Sequence, residues 1–200
     1  MFLCCWNYGV GTPGALLSMV GYQILNNIVV NEKVFDPGKI LVKMSKDLNK
    51  LLNSGKELGK IDDGMAISIC FIDHKAQIIK YAGAGNPGYI LSKGEFYLLG
   101  HEKFQIGSRE FLNKYESSGM VNCIFEFQKG DKLYLFTDGF QDQFGGMDNK
   151  KLGKKKLLSM LKQNSNLPMC SQLDTLVGYF NEWMGDNEQV DDVTVLGIEL

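Results

Sequence analysis

The chain has 200 residues, of which 44% are hydrophobic and 22% are charged, with a formal net charge of −2. This composition fits one globular domain, or one domain with a fragment of another, and the lack of a basic surplus argues against nucleic acid as a partner. No stretch reaches the roughly 18 uninterrupted apolar residues of a membrane span. Five scattered cysteines without C-x-x-C spacing indicate neither a zinc site nor a disulfide framework, so we expect a cytoplasmic protein.

Two helices are predicted in the first quarter of the chain. Pro13 suits a first helical turn, and the apolar pattern after it continues to about Val30. Asp36 can cap a second helix that begins at Pro37, in which apolar residues recur at helical spacing through Leu52. The second helix is therefore amphipathic and packs one face on the rest of the protein.

The apolar pattern changes from helical to extended after Gly64. Turn residues divide the extended runs into three predicted hairpins: 67–71 with 78–82, 89–91 with 95–99, and 121–127 with 132–136. Two further predicted helices, 152–161 and 172–183, precede a last strand that starts at Val193. Strands in succession, with the helices set apart from them, predict an α+β fold.

Two carboxylate signatures stand at strand ends in the last third of the chain. Asp138 follows the apolar strand 133–136, Asp142 lies one turn later, and Asp191 and Asp192 open the last strand. If these strands pair side by side, Asp138 and Asp191 come to one edge of a sheet, where carboxylate oxygens suit Mg²⁺. Asp-Gly after a strand is also a common turn, because Asp bonds to nearby backbone and Gly accepts positive φ. The pattern alone leaves both alternatives open.

The run 9–14 fits the dinucleotide-binding pattern G-x-G-x-x-G after the strand-like stretch 2–6. That function requires a βαβ unit with an acidic residue at the end of a second parallel strand. Here Glu32 leads instead towards the helix start at Asp36, and the hairpins downstream are antiparallel. A dinucleotide site is therefore disfavoured, while the glycines suit an anion-binding loop at a helix N-terminus.

Seven motifs in order resemble the stage II sporulation E type branch of the metal-dependent protein phosphatases. They are GTPGALLSMVG (11–21), DGM (63–65), YAGAGNP (81–87), QIG (105–107), GDKLYLFTDG (130–139), DQFGG (142–146) and QVDDVT (189–194). The resemblance implies an α/β/β/α sandwich of two antiparallel sheets flanked by helices, without its first strands. Residues 1–10 would be an atypical start that lacks the first metal motif, and residues 11–200 would form the phosphatase domain.

The resemblance also implies a function. Such enzymes hydrolyse phosphoserine or phosphothreonine on proteins by attack of water activated by two Mn²⁺ or Mg²⁺ ions, which also neutralise charge on the phosphoryl oxygens. By position, Asp138 and Asp191 would be catalytic metal ligands, and Asp142 and Asp192 would be accessory groups at the metals. The usual substrate in this branch is a phosphorylated anti-sigma-factor antagonist in bacterial partner-switching, and the domain commonly follows a sensor domain.

One departure from the family bears directly on activity. The family carries D-x-x-G-H-G ahead of its P-G-A motif, and this aspartate bridges both metals. Counting back from Pro13 puts Trp6 in place of the aspartate and Val10 in place of the histidine. An indole cannot coordinate Mg²⁺ or Mn²⁺, so we expect very low or no activity. The alternative is an inactive pseudophosphatase or fragment that serves as a phosphoprotein-binding or regulatory module.

Overall fold

Antiparallel strands and amphipathic helices make up a computed structural model that describes residues 1–7, 12–52 and 64–200. The elements in chain order are β1 (Phe2–Asn7), α1 (Thr12–Asn26), α2 (Pro37–Leu52), β2 (Ala66–Asp73), β3 (Ile78–Ala84), β4 (Gly88–Ser92), β5 (Glu95–Leu99), α3 (Arg109–Tyr115), β6 (Cys123–Glu126), β7 (Lys132–Phe136), α4 (Gly139–Asp142), β8 (Phe144–Gly145), β9 (Lys150–Lys151), α5 (Lys154–Gln163), α6 (Met169–Met184) and β10 (Val195–Glu199). The architecture is α+β, with antiparallel sheets flanked by helices, as the sequence predicts.

The chain divides into two compact units, each with its own apolar core. The first comprises 1–88 and 98–127, and the second comprises 89–97 and 128–200. In the first unit the strand order is β1-β2-β3-β6. Helix α2 buries one face completely, including Ile40, Leu41 and Met44. Burial of this face explains why the helical spacing of apolar residues is a dependable signal here.

The start of α2 agrees with its predicted cap. The Asp36 carboxylate accepts a hydrogen bond from the backbone N–H of Lys39 (3.0 Å), which satisfies one donor at the helix N-terminus. The helix predicted from Pro13 to about Val30 ends earlier, at Asn26, and a π-helical turn continues from Asn27 to Asn31.

In the second unit, β7 lies between β10 and β4 in a sheet of order β10-β7-β4-β5. β10 and β7 are antiparallel, with Val195 opposite Phe136 and Glu199 opposite Lys132. The beginning of β10 therefore meets the end of β7. Behind these strands the core is aromatic: the Tyr89 and Phe136 rings stack at 5.3 Å, with an angle of 3° between their planes.

The first two predicted hairpins are confirmed, but the third is wrong. β6 pairs with β3, whereas β7 joins the other sheet. The predicted turn itself exists, because the Asp131 N–H donates to the Gln128 carbonyl oxygen (3.0 Å) and Gly130 has φ 92°. Turn residues specify that the chain changes direction, but they do not specify that the flanking strands pair with each other.

The dinucleotide pattern does not lie in a βαβ unit. β1 pairs antiparallel with β2, and Trp6 is opposite Ile67 in that register. The loop glycines at 9 and 11, Val10, the predicted boundary at residue 10 and Asp63 lie outside the described residues. None of the described helices is long and apolar enough to cross a membrane.

Candidate active site

Asp138 stands where β7 gives way to the short helix α4. Its backbone is already helical (φ −74°, ψ −17°), and its side chain is exposed. The residues on either side, Thr137 and Gly139, are buried. An exposed carboxylate is thus carried on a backbone that is fixed by buried neighbours.

Thr137 connects the end of β7 to the residues that precede β10. Its backbone N–H donates to the Thr194 carbonyl oxygen (3.0 Å), and its hydroxyl accepts from the Thr194 N–H (3.0 Å). The same hydroxyl donates to the carbonyl oxygen of Asp192 (3.0 Å). The Thr137 hydroxyl therefore donates to one residue of this segment and accepts from another. The predicted side-by-side arrangement of the two aspartate-bearing segments is therefore present.

Gly139 allows these segments to touch. A Cβ atom at this position would lie 2.3 Å from the Asp192 carbonyl oxygen and 3.2 Å from that of Asp191. Gly139 is not among the glycines with positive φ, and the Asp138 side chain makes no hydrogen bond that caps α4. Close approach of the Asp191–Asp192 backbone therefore accounts for the glycine at this position.

Asp142 and Asp191 each accept a hydrogen bond from a nearby residue. Asp142 is half-buried, and its Oδ2 accepts from the Lys151 ammonium at 2.9 Å. Asp191 is also half-buried, and its Oδ1 accepts the backbone N–H of Asp192 at 2.7 Å, while the Asp192 side chain is exposed. A cation that used Asp142 would compete with Lys151.

Within residues 1–7, 12–52 and 64–200, no group of three His, Cys, Asp or Glu side chains is placed to hold a metal ion. The four predicted aspartates therefore do not form a cage by themselves. Their donor chemistry still fits a hard divalent cation, since Mg²⁺ is usually held by one or two carboxylates with water in the remaining positions.

The D-Q-F-G-G motif packs against α6, and its two glycines are needed because a larger side chain would collide with Trp183. A Cβ at Gly145 would lie 1.8 Å from the Trp183 carbonyl oxygen, which also accepts the Gly146 N–H at 2.8 Å. The Trp183 indole N–H donates to the carbonyl oxygen of Gln143 (3.1 Å). Gln143, to which the sequence pattern gave no role, is fully buried and bonds to the segment before Asp191.

Comparison with known proteins decides the family. The family model of stage II sporulation protein E (SpoIIE) matches residues 8–200. The chain belongs to the SpoIIE family. A comparison with curated proteins finds no match.

Solved structures of PP2C phosphatase domains share the fold of this SpoIIE family member. The SiaA PP2C domain of Pseudomonas aeruginosa is 22% identical, with a TM-score of 0.81 over 100% of this chain and 80% of that one. The PP2C domain of SpoIIE from Bacillus subtilis, with a fragment of its regulatory domain, is 17% identical, with a TM-score of 0.66 over 100% of this chain and 55% of that one.

A third similar structure contains the RsbU and RsbW domains of a Mycobacterium tuberculosis protein. It is 14% identical, with a TM-score of 0.70 over 99% of this chain and 52% of that one. The chain thus spans about half the length of two of these three structures. At these identities the likeness concerns the fold.

Proposed function

We propose that this chain is a phosphoserine and phosphothreonine protein phosphatase domain by descent, with an incomplete metal site. The observation that carries the proposal is the contact between the T-D-G and D-D-V-T segments, made by Thr137 and Gly139. Two aspartate-bearing segments held this closely, in a chain of the SpoIIE family, suit metal-assisted hydrolysis better than they suit two unrelated turns.

Asp138 and Asp191 would hold the metal, and Asp142 and Asp192 would support it. Bound Mn²⁺ or Mg²⁺ supplies activation of water and neutralisation of charge on the phosphoryl oxygens. The chain's own contribution is placement, because Thr137 fixes both strand ends. Lys151 forms an ion pair with Asp142 and so places a positive charge beside that carboxylate.

The proposed substrate is a phosphorylated protein such as an anti-sigma-factor antagonist in a bacterial partner-switching pathway. Support comes from the similar structures, one of which joins RsbU and RsbW domains and another of which includes part of a regulatory domain. We further propose that a sensor domain precedes this domain in a longer parent chain. We also propose the cytoplasm as its location, because five scattered cysteines without C-x-x-C spacing suit a reducing compartment.

A noncatalytic interaction module is the second candidate. It is favoured by Trp6 at the position of the family's bridging aspartate, and by the lack of a three-carboxylate group among the described side chains. Such a module would bind a phosphoprotein or a regulatory partner without hydrolysis.

Mn²⁺-dependent hydrolysis of an aryl phosphate separates the two candidates. We expect the unaltered chain to stay near background and Trp6→Asp to exceed it by at least ~10-fold, because a lost ligand is restored. Asp138→Asn in the Trp6→Asp background should abolish the gain, whereas Asp174→Asn, an exposed acid on α6, should not.

Two results would change the assignment. If the unaltered chain is active and Asp138→Asn abolishes that activity, another group replaces the missing carboxylate and the site is complete. If all variants are silent and Mn²⁺ at millimolar concentration does not raise their melting temperature, the interaction module is the better description, because any ligand of the native state stabilises it.

A further inference from the structure

We propose that Gln143 is a positioning residue that holds the Asp191–Asp192 segment in place beside helix α4. The inference rests on the proposed function in one respect, because the proposed function is what assigns a metal to these aspartates. Asp142 precedes Gln143 directly in the chain, so one residue ties together both carboxylate-bearing segments.

The side-chain amide of Gln143 is fully buried, and each of its polar atoms is used. Nε2 donates to the carbonyl oxygens of Phe144 (3.1 Å) and Glu188 (3.0 Å). Oε1 accepts the backbone N–H of Val190 at 3.2 Å. Since a buried amide is costly to leave unpaired, these bonds fix residues 188–190 relative to α4.

The backbone of Gln143 is itself anchored, which makes it a fixed point. Its carbonyl oxygen accepts from the Trp183 indole N–H (3.1 Å) and from the Leu152 N–H (2.9 Å). The segment that Gln143 holds ends one residue before Asp191. On the other side of Asp191, Thr137 bonds to Asp192 and to Thr194. Asp191 therefore lies between two anchors.

Gln143→Leu removes all three side-chain bonds and keeps the approximate volume of the residue. Its matched control is Gln172→Leu, because Gln172 is also buried in the second unit and is also bonded at both ends of its amide. Gln172 accepts from the Tyr134 hydroxyl (2.8 Å) and donates to the Leu167 carbonyl oxygen (2.9 Å). Both variants lose a buried amide, but only Gln143→Leu releases the residues before Asp191.

Amide hydrogen exchange on the metal-free full chain tests the placement directly. Relative to the most protected core amides, we expect Gln143→Leu to speed exchange in residues 188–194 by at least ~10-fold, because local opening no longer breaks the amide bonds. Gln172→Leu should leave this ratio unchanged. Equal ratios in the two variants would overturn the proposal, since Gln143 would then stabilise the unit without positioning the segment.

Mn²⁺ titration followed by melting temperature, in the Trp6→Asp background, links placement to the metal. We expect the half-saturating Mn²⁺ concentration to rise ~10-fold or more in Gln143→Leu, as for other residues that orient metal ligands, and to stay unchanged in Gln172→Leu. If no variant binds Mn²⁺ while the exchange difference persists, the proposed function fails and the positioning role holds. If Mn²⁺ binds equally well in both variants and exchange is unchanged, the positioning role fails and the function holds.

Discussion

The ends of β1 and β7 differ in the residue type that each strand carries there and in how closely that end is bonded to another segment. β7 leads into Asp138, whereas β1 carries Trp6, at the position where the resemblance predicts a bridging aspartate. β1 nevertheless keeps its full register with β2, and Cys5 on it is buried. Strand pairing depends on the backbone ladder and on buried apolar surface, neither of which needs the carboxylate.

The end of β7 differs because the residues that follow it bond to one other segment of the chain. Thr137 and Gln143 both form side-chain hydrogen bonds with residues in 188–194. Gly139 has no side chain, which allows that segment to approach closely. We therefore expect substitutions at the end of β7 to lower the free energy of unfolding more than substitutions on β1 do.

Gly139→Ala should have the largest effect on stability. The new Cβ would lie 2.3 Å from a backbone oxygen that cannot rotate away, so we expect a loss of about 3 kcal/mol in the free energy of unfolding. Urea denaturation measures it. Gly178→Ala is the control, because a Cβ there meets nothing within 4 Å and alanine favours a helix by up to about 1 kcal/mol. A similar response at both glycines would mean that the two segments move apart freely.

Thr137→Val should cost somewhat less. The substitution keeps the shape of the side chain and leaves the Thr194 N–H and the Asp192 carbonyl oxygen without their hydroxyl partner, which we expect to cost about 2 kcal/mol. Thr175→Val, which removes an exposed hydroxyl bonded to Ser171, should change the free energy of unfolding by less than about 0.5 kcal/mol. If both cost the same small amount, the β7 end is as tolerant as β1.

Sequence reasoning found the elements of the fold more readily than their partners. The helical face of α2 and the strand that ends before Asp138 follow from local periodicity, and the structure contains both. The pairing of β6 with β3 was missed because sheet membership depends on residues distant in the chain. The roles of the aspartates stay predictions, and the role of Gln143 had no local signal, because a buried glutamine and a surface one look alike in sequence.

One side chain in each unit has a shifted pKa that makes its contribution to stability depend on pH. In the first unit, the hydrogen bond from Lys114 lowers the pKa of the Glu102 carboxyl. The ionised Glu102 carboxylate contributes to stability above the ordinary pKa of glutamate. This contribution is lost as the pH falls through the lowered pKa. In the second unit, burial of Tyr134 on β7 raises its pKa to about 12. Glu102 therefore contributes to sensitivity on the acid side, and Tyr134 contributes to sensitivity on the alkaline side.

Tyr134→Phe should produce the smallest effect at neutral pH, and its pH dependence is the informative part. Near neutrality the loss of the hydrogen bond to Gln172 should cost about 1 kcal/mol. Because only the unfolded chain ionises this tyrosine readily, its stabilising effect is complete below pH 10.0 and is lost as the pH rises towards about 12. Urea denaturation across that range should show a shallower alkaline decline in Tyr134→Phe than in the unaltered chain. An equal decline would mean that groups outside β7 cause the loss of stability at alkaline pH. The specific contribution of β7 would then be limited to its end near Asp138.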